Sequence, residues 1–391
     1  METFFLNWYH FWNDKKPLFF SLLAVFVTLG ILAITNINMQ IYNVLNYKIL
    51  TGFIVIPLLV MLFFFKKTKL ILVSLIPSIL GGIFTFSIYY LIEGNIQIND
   101  VLVGTVVSGL IFTYTLHLFY SLKKTKSIEE SIKLVFKPIF VASLITSSCF
   151  FLLYFSESEL LKKVGLFGGV QSIGGLIGLL FVFPVIIQNK LKFSEKSINF
   201  DVSLFSIGNK KVRFLIVLLL VAITVWLSYE AVNVKIFSLD LLYNKSYFFY
   251  GLGVVFTFLL IVYGRIEYAL ITFLPMLFTW IWTLGITSLL GIELNEHVIF
   301  GISLIFGFTI GSTVLISDSY KLIYSYETNK KPSSPLSILM VGTILISTIL
   351  VLLVSDDSKI QSLAIFTLIG SVCFLVFSLF LQSYFIQLLI V

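Results

Sequence analysis

Long apolar stretches follow one another along almost the whole chain, separated by breaks of only a few polar residues. That spacing leaves few folds open. A helix needs about 20 apolar residues to cross the hydrocarbon core of a bilayer. Stretches of this kind fall near residues 18–35, 48–65, 70–92, 100–121, 138–155 and 164–188, then near 213–230, 247–263, 268–290, 297–317, 337–354 and 360–390. Hydrophobic residues make up 59% of the chain and charged residues 12%, whereas soluble domains carry about 25% charged residues. Such a chain cannot build a water-facing surface around its core. The spacing predicts an all-α membrane protein with twelve transmembrane helices, one for each stretch.

Charge gives the orientation. With the N-terminus inside, alternate connections carry 20 of the 26 Lys and Arg, from Lys15 and Lys16 through Lys66, Lys67 and Lys69 to Lys321, Lys330 and Lys331. Positive charge is retained on the cytoplasmic side of membrane proteins, so both termini are expected in the cytoplasm. The net charge of +7 then reflects topology rather than a nucleic-acid partner. Residues 1–16, with their aromatic opening METFFLNWYHFWN, read as a helix lying in the membrane interface. The first six-helix set occupies 17–190, a polar linker 191–212, and the second set 213–391. No cleavable leader is expected, because the first apolar run continues as a full span.

The two sets repeat one another. FKKTKLILVSLIPSILGGIFTFSIYYLIEGNIQIND, from Phe65, parallels VYGRIEYALITFLPMLFTWIWTLGITSLLGIELNEH, from Val262. Each has a basic turn, an apolar helix with one proline (Pro77 or Pro275), a terminating glycine (Gly94 or Gly291) and a polar opening to the next span. Six spans per repeat is an even number, so the copies share one orientation and relate by a pseudo-twofold axis along the membrane normal. Such repeats place shared sites between the halves.

Few residues offer chemistry. Cys149 and Cys373 lie inside apolar stretches and read as packing residues. No metal set, nucleotide loop, catalytic triad or carboxylate pair can be assembled, so neither an enzyme nor a cofactor is expected. Spacings of four pair Gly104 with Ser108, Gly165 with Gly169, Gly174 with Gly178, and Gly307 with Gly311, a pattern that lets helices approach closely. Ser127 with Glu130 reads as a capping box opening a short surface helix before the fifth span. Pro77, Pro138, Pro184 and Pro275 are expected to kink or begin helices. His10 and His297 are expected to face the interface or water.

These residues also carry a resemblance. SLIPSILGGIFTF in the third stretch, VSGLIFTYTLHLFYSLKK in the fourth, FKPIFVASLITSSCFFLLYF in the fifth and SELLKKVGLFGGVQSIGGLIGLLFVFPVII in the sixth resemble the membrane half of RND-superfamily exporters. LGIELNEHVIFGISLIFGFTIGSTVLISDSYK carries the likeness into the second half. The MMPL-like and hopanoid-type lipid transporters are the branches it resembles. The resemblance implies a transporter of lipids or other hydrophobes in the inner membrane of a bacterium. Its expected partners are membrane lipids, a hydrophobic substrate, periplasmic or membrane proteins, and further copies of itself. It also implies large extracytoplasmic domains after the first and seventh spans. Here only NINMQIYNVLNYK (36–48) and AVNVKIFSLDLLYNKS (231–246) stand there. A naturally minimal form and a chain from which those domains were removed both fit.

In that family, proton coupling rests on acids in the fourth and tenth spans. The matching positions hold Thr113-Tyr114 and Gly311-Ser312. His117, one turn from Thr113, could carry a proton in their place, with Thr113, Tyr114, Ser312 and Thr313 as hydroxyl relays. The competing reading of His117 is a neutral interhelical hydrogen bond. Loss of both acids leaves a second functional expectation, a transport-inactive scaffold or lipid-binding subunit.

Overall fold

The computed structural model describes residues 73–93, 98–125, 127–156, 158–187, 210–233, 245–292, 295–325, 334–355 and 357–382, with single positions between 7 and 24 and residues 59 and 385. The chain divides into two compact units, Met1–Ile198 and Asn199–Val391. The expected spans 18–35 and 48–65, the linker 191–212 and the connection 36–48 lie outside the described residues, apart from scattered positions.

In the first unit, helix α1 (Ile76–Glu93) is followed by α2 (Ile98–Thr125), α3 (Ile128–Tyr154) and α4 (Glu159–Ile187). Ser127 caps α3 by accepting from Glu130 N at 3.5 Å, and Ser158 caps α4 by accepting from Leu161 N at 3.4 Å. These bonds satisfy amides that no preceding turn can reach. The expected short surface helix after Ser127 is not separate. It is the first three turns of α3, which runs unbroken through Pro138. The reason is burial: Ile128, Ser131, Ile132, Val135 and Phe136 are packed inside the unit, so the segment is held in place despite the proline's missing donor. Pro138 therefore lies within a helix rather than beginning one.

The second unit contains α5 (Lys210–Asn233), α6 (Lys245–Tyr263), α7 (Ile266–Leu289), α8 (Glu296–Ser325), α9 (Ser334–Leu352) and α10 (Ser358–Val376). Gly291 closes α7 in a left-handed conformation, φ +69°. The N–H of Ile292 reaches back to Thr287 O at 3.0 Å, a Schellman closure that a Cβ at residue 291 would strain. Asn295 opens α8 by accepting from Val298 N at 3.0 Å.

The last four helices of each unit follow the same order, and the likeness extends to an irregularity. Helix α4 contains a π-helical turn at Gly178–Val182, and α10 continues into one at Phe377–Gln382. Helix starts 159 and 358 and π-turn starts 178 and 377 are both 199 residues apart. Pro184 follows the first turn and Ser383 stands at the corresponding place in the second. The widened turn therefore does not depend on proline.

Five described helices are long and apolar enough to cross a membrane: Ile128–Tyr154, Glu159–Ile187, Ile266–Leu289, His297–Ser317 and Ser358–Leu379. Helix α5 leaves Leu215, Leu218, Leu219, Val225 and Trp226 exposed, a surface suited to lipid rather than water. The described residues are helices and turns throughout, and the chain is a multi-pass membrane protein.

Candidate functional site

The expected relay residues lie on α2 and α8. Tyr114 is buried, and its hydroxyl lies 3.1 Å from Thr146 Oγ1 on α3. Because Thr146 Oγ1 donates to Ala142 O at 2.8 Å, the phenol is the donor of this pair. Thr113 is buried one residue earlier. His117 is half-buried, and its Nε2 is enclosed without a hydrogen-bond partner. On α8, Gly311, Ser312 and Thr313 are all buried. The Thr313 hydroxyl donates to Ile310 O at 3.1 Å. The hydroxyls of Tyr114 and Thr313 are thus engaged inside their own units.

The remaining histidines also have defined surroundings. His10 lies 3.6 Å from Glu129 at the start of α3, and nearby Trp8 stacks edge-on against Phe181 of α4 at 5.3 Å. Trp8 and His10 therefore sit against the Ser127 end of the first unit. His297 is half-buried with Nδ1 enclosed, not turned to water as expected from its place beside Glu296. Val298 beside it is fully buried, so the first turn of α8 is packed rather than solvated.

The small residues mark close helix contacts. A Cβ on Gly104 would stand 2.6 Å from the Phe167 ring, one on Gly169 2.6 Å from Phe151, and one on Gly174 2.6 Å from Phe84. At Gly165 the obstacles are main-chain atoms, Tyr154 N at 2.6 Å and Phe150 O at 2.7 Å, and at Gly178 the nearest is Pro77 O at 3.1 Å. Gly307 and Gly311 are buried on α8. Cys149 and Cys373 are buried and unbridged.

Two residues that a search for acids passes over, Gln171 and Gln382, each make two side-chain hydrogen bonds to another helix. Gln171 on α4 donates from Nε2 to Gly104 O and to Ser108 Oγ, both at 2.7 Å, and Ser78 Oγ of α1 donates to Ser108 O at 3.2 Å. Gln382, at the end of the π turn after α10, donates from Nε2 to Thr313 O at 2.8 Å and to Ser317 Oγ at 3.1 Å. Ser317 Oγ lies 2.9 Å from Thr272 Oγ1 of α7. Each amide therefore joins three helices of its unit. Their signal in the sequence was available: a carboxamide inside an apolar stretch must find partners or stay unpaired at a cost.

Acidic side chains stand at helix ends. Glu93 is the last residue of α1, and Asp357 caps α10 by accepting from Lys359 N at 2.8 Å. Among the described residues no group of three or more His, Cys, Asp or Glu is placed to hold a metal ion.

No family model and no curated protein matches the chain. Solved structures do. The chain is similar to SecDF in its super-membrane-facing form, with a TM-score of 0.72 at 10% identity, over 88% of this chain and 61% of that one. It is also similar to SecDF from Thermus thermophilus, a translocon-associated membrane protein, with a TM-score of 0.66 at 14% identity over the same shares. The chain thus spans about three-fifths of the SecDF length. With the helical order, the membrane-length spans and the irregular turns already in place, the chain carries the fold of SecDF.

Proposed function

We propose that the chain is an RND-fold transporter module of a bacterial cytoplasmic membrane, built as twelve spans in two like-oriented sets of six with both termini inside. Its cargo would be a lipid or another hydrophobic molecule. The observation that carries this reading is the SecDF-like fold over 88% of the chain. Composition and the short connections at 36–48 and 231–246 support a substrate that stays in or near the membrane, because those connections are too short to form a substrate-holding domain. As SecDF is translocon-associated, a membrane partner complex is the assembly in which the module would work.

Energy coupling is the point at which the reading divides. His117, half-buried with an enclosed Nε2, is the ionisable side chain we place in the proton path on α2. A second reading, a transport-inactive scaffold, is favoured by the Tyr114–Thr146 bond, which gives the phenol a structural partner where the resemblance called for an acid.

Reconstitution separates the two. Proteoliposomes carrying the protein and a fluorescent lipid analogue are given a proton gradient. The transporter reading predicts gradient-dependent redistribution of the analogue, reduced in His117→Ala. Redistribution equal to that of empty vesicles, with or without the gradient, would leave only the scaffold.

A further inference from the structure

We infer that the second unit contains a hydrated polar site at the Gln382 carboxamide, built to accept a small hydrogen-bond donor or cation from the aqueous phase. Its walls are Thr272 of α7, Thr313 and Ser317 of α8, and Gln382 itself, each no more than 1% exposed. Every donor in the cluster is committed. The two Gln382 N–H groups go to Thr313 O and Ser317 Oγ. The Thr272 hydroxyl donates to Tyr268 O at 2.8 Å, so the Ser317 hydroxyl must donate to Thr272 Oγ1. No proton remains for Gln382 Oε1, which is buried and unpartnered. Turning the amide over would set its oxygen against the Thr313 carbonyl, so the vacant acceptor is fixed by the network.

Packing does not require this arrangement. The 199-residue offset between α4 and α10 places Phe183 where Gln382 stands. In the first unit that junction is closed by the Phe183 ring against Phe119 of α2, centroids 5.6 Å apart. The same fold thus fills one junction with two rings and the other with an amide and two hydroxyls. The other buried amide differs as well. Gln171 Oε1 is likewise buried without a hydrogen-bond partner, but it lies where a Cβ on Gly104 would approach to 3.2 Å and its amide bonds only α2.

Position makes the site reachable. Thr272 is in the second turn of α7, about 9 Å along the axis from its first residue, and Ser317 and Gln382 lie toward the far ends of their helices. Gln382 ends a π-helical turn, a geometry that recurs at functional sites. A neutral lining of hydroxyls and an amide, with a free acceptor oxygen, suits water or a small monovalent cation, and it lacks the carboxylates a divalent ion needs. The site does not depend on what the module transports.

The test is cysteine accessibility in the full-length protein in nanodiscs, in a Cys149→Ser, Cys373→Ala background. The probe is the water-soluble reagent 2-aminoethyl methanethiosulfonate. Ser317→Cys is expected to react about tenfold or more faster than Phe119→Cys in the ring-filled junction. Thr272→Cys is the second probe should Ser317→Cys fail to fold. Replacing N-methylglucamine chloride by sodium chloride distinguishes the occupants: several-fold protection by sodium identifies a cation, and an unchanged rate identifies water. Equal rates at Ser317→Cys and Phe119→Cys, or no reaction at Ser317→Cys and Thr272→Cys, would overturn the proposal.

Discussion

Replacing a glycine by alanine should have opposite effects at two places in the first unit, and the structure says which. At Gly165 on α4 the new Cβ would lie 2.6 Å from Tyr154 N, about 0.8 Å short of the 3.4 Å at which ordinary contact begins. Its other near neighbours, Phe150 O and Leu153 C, are also main-chain atoms of α3 and its C-terminal turn. A side chain can rotate away, but a backbone cannot, so α3 and α4 must separate. Overpacking a well-filled interface costs roughly 1–3 kcal/mol, and a rigid obstacle belongs at the upper end. Alanine's better helix propensity returns about 1 kcal/mol. The net expectation is a loss of about 2 kcal/mol, or a fall of about 4–8 °C in Tm at 2–4 °C per kcal/mol. Gly109 on α2 has nothing within 4 Å of the same Cβ. There the propensity term stands alone, and Gly109→Ala should raise Tm by about 2–4 °C. A thiol-reactive fluorophore in a thermal ramp provides the assay, because Cys149 and Cys373 are buried and unbridged and react as the helices come apart. A Gly165→Ala protein at least as stable as wild type would refute the close main-chain contact.

Three further outcomes follow from the same geometry. Tyr114→Phe should cost about 0.5–1.5 kcal/mol, and adding Thr146→Val should cost less than the sum of the two single changes, as a double-mutant cycle in thermal unfolding would reveal. Asp357→Ala removes the cap of α10 and should lower stability by about 1 kcal/mol, while Asp357→Asn, which keeps the acceptor oxygen, should recover most of it in the same measurement. Gln171→Leu removes two hydrogen bonds, one to Gly104 O, which keeps the Ser108 hydroxyl as a donor, and one to Ser108 Oγ, and a loss of about 1–3 kcal/mol is expected; Gln171→Glu, which supplies no fixed N–H pair, should not restore it.

The apolar stretches were the most legible part of the chain because membrane thickness sets a length that few other constraints share. The stretches at 268–290 and 297–317 differ by only a few residues from α7 and the membrane-length part of α8. Helix α3 was harder. Its first three turns carry Glu129, Glu130 and Lys133 and read as a surface segment, yet their buried face continues the helix through Pro138. Composition reports which residues tolerate water, not which face turns inward. The π turns left no trace in the sequence, since one precedes a proline and the other does not.

The site was less legible for a different reason. A search for carboxylates led to positions 113, 114, 311 and 312, where none stands. The polar investment of the described cores lies instead in two glutamines whose partners, Gly104 and Ser108 or Thr313 and Ser317, are more than sixty residues away in sequence. Sequence identifies such a side chain as costly but not what satisfies it. Tyr114 presents the same problem, because its partner Thr146 is on the next helix and no local spacing points to it.

We propose that both units enter the bilayer in the same orientation, and one labelling experiment tests this most directly. Single cysteines replacing Ser127 and Arg265, at the starts of α3 and α7, and Ser156 and Asp357, near the starts of α4 and α10, test it in intact cells with a membrane-impermeant maleimide. Labelling of Ser156→Cys and Asp357→Cys, with Ser127→Cys and Arg265→Cys reacting only after the cells are opened, is the predicted result. Labelling of Ser156→Cys from outside and Asp357→Cys only from inside would contradict it.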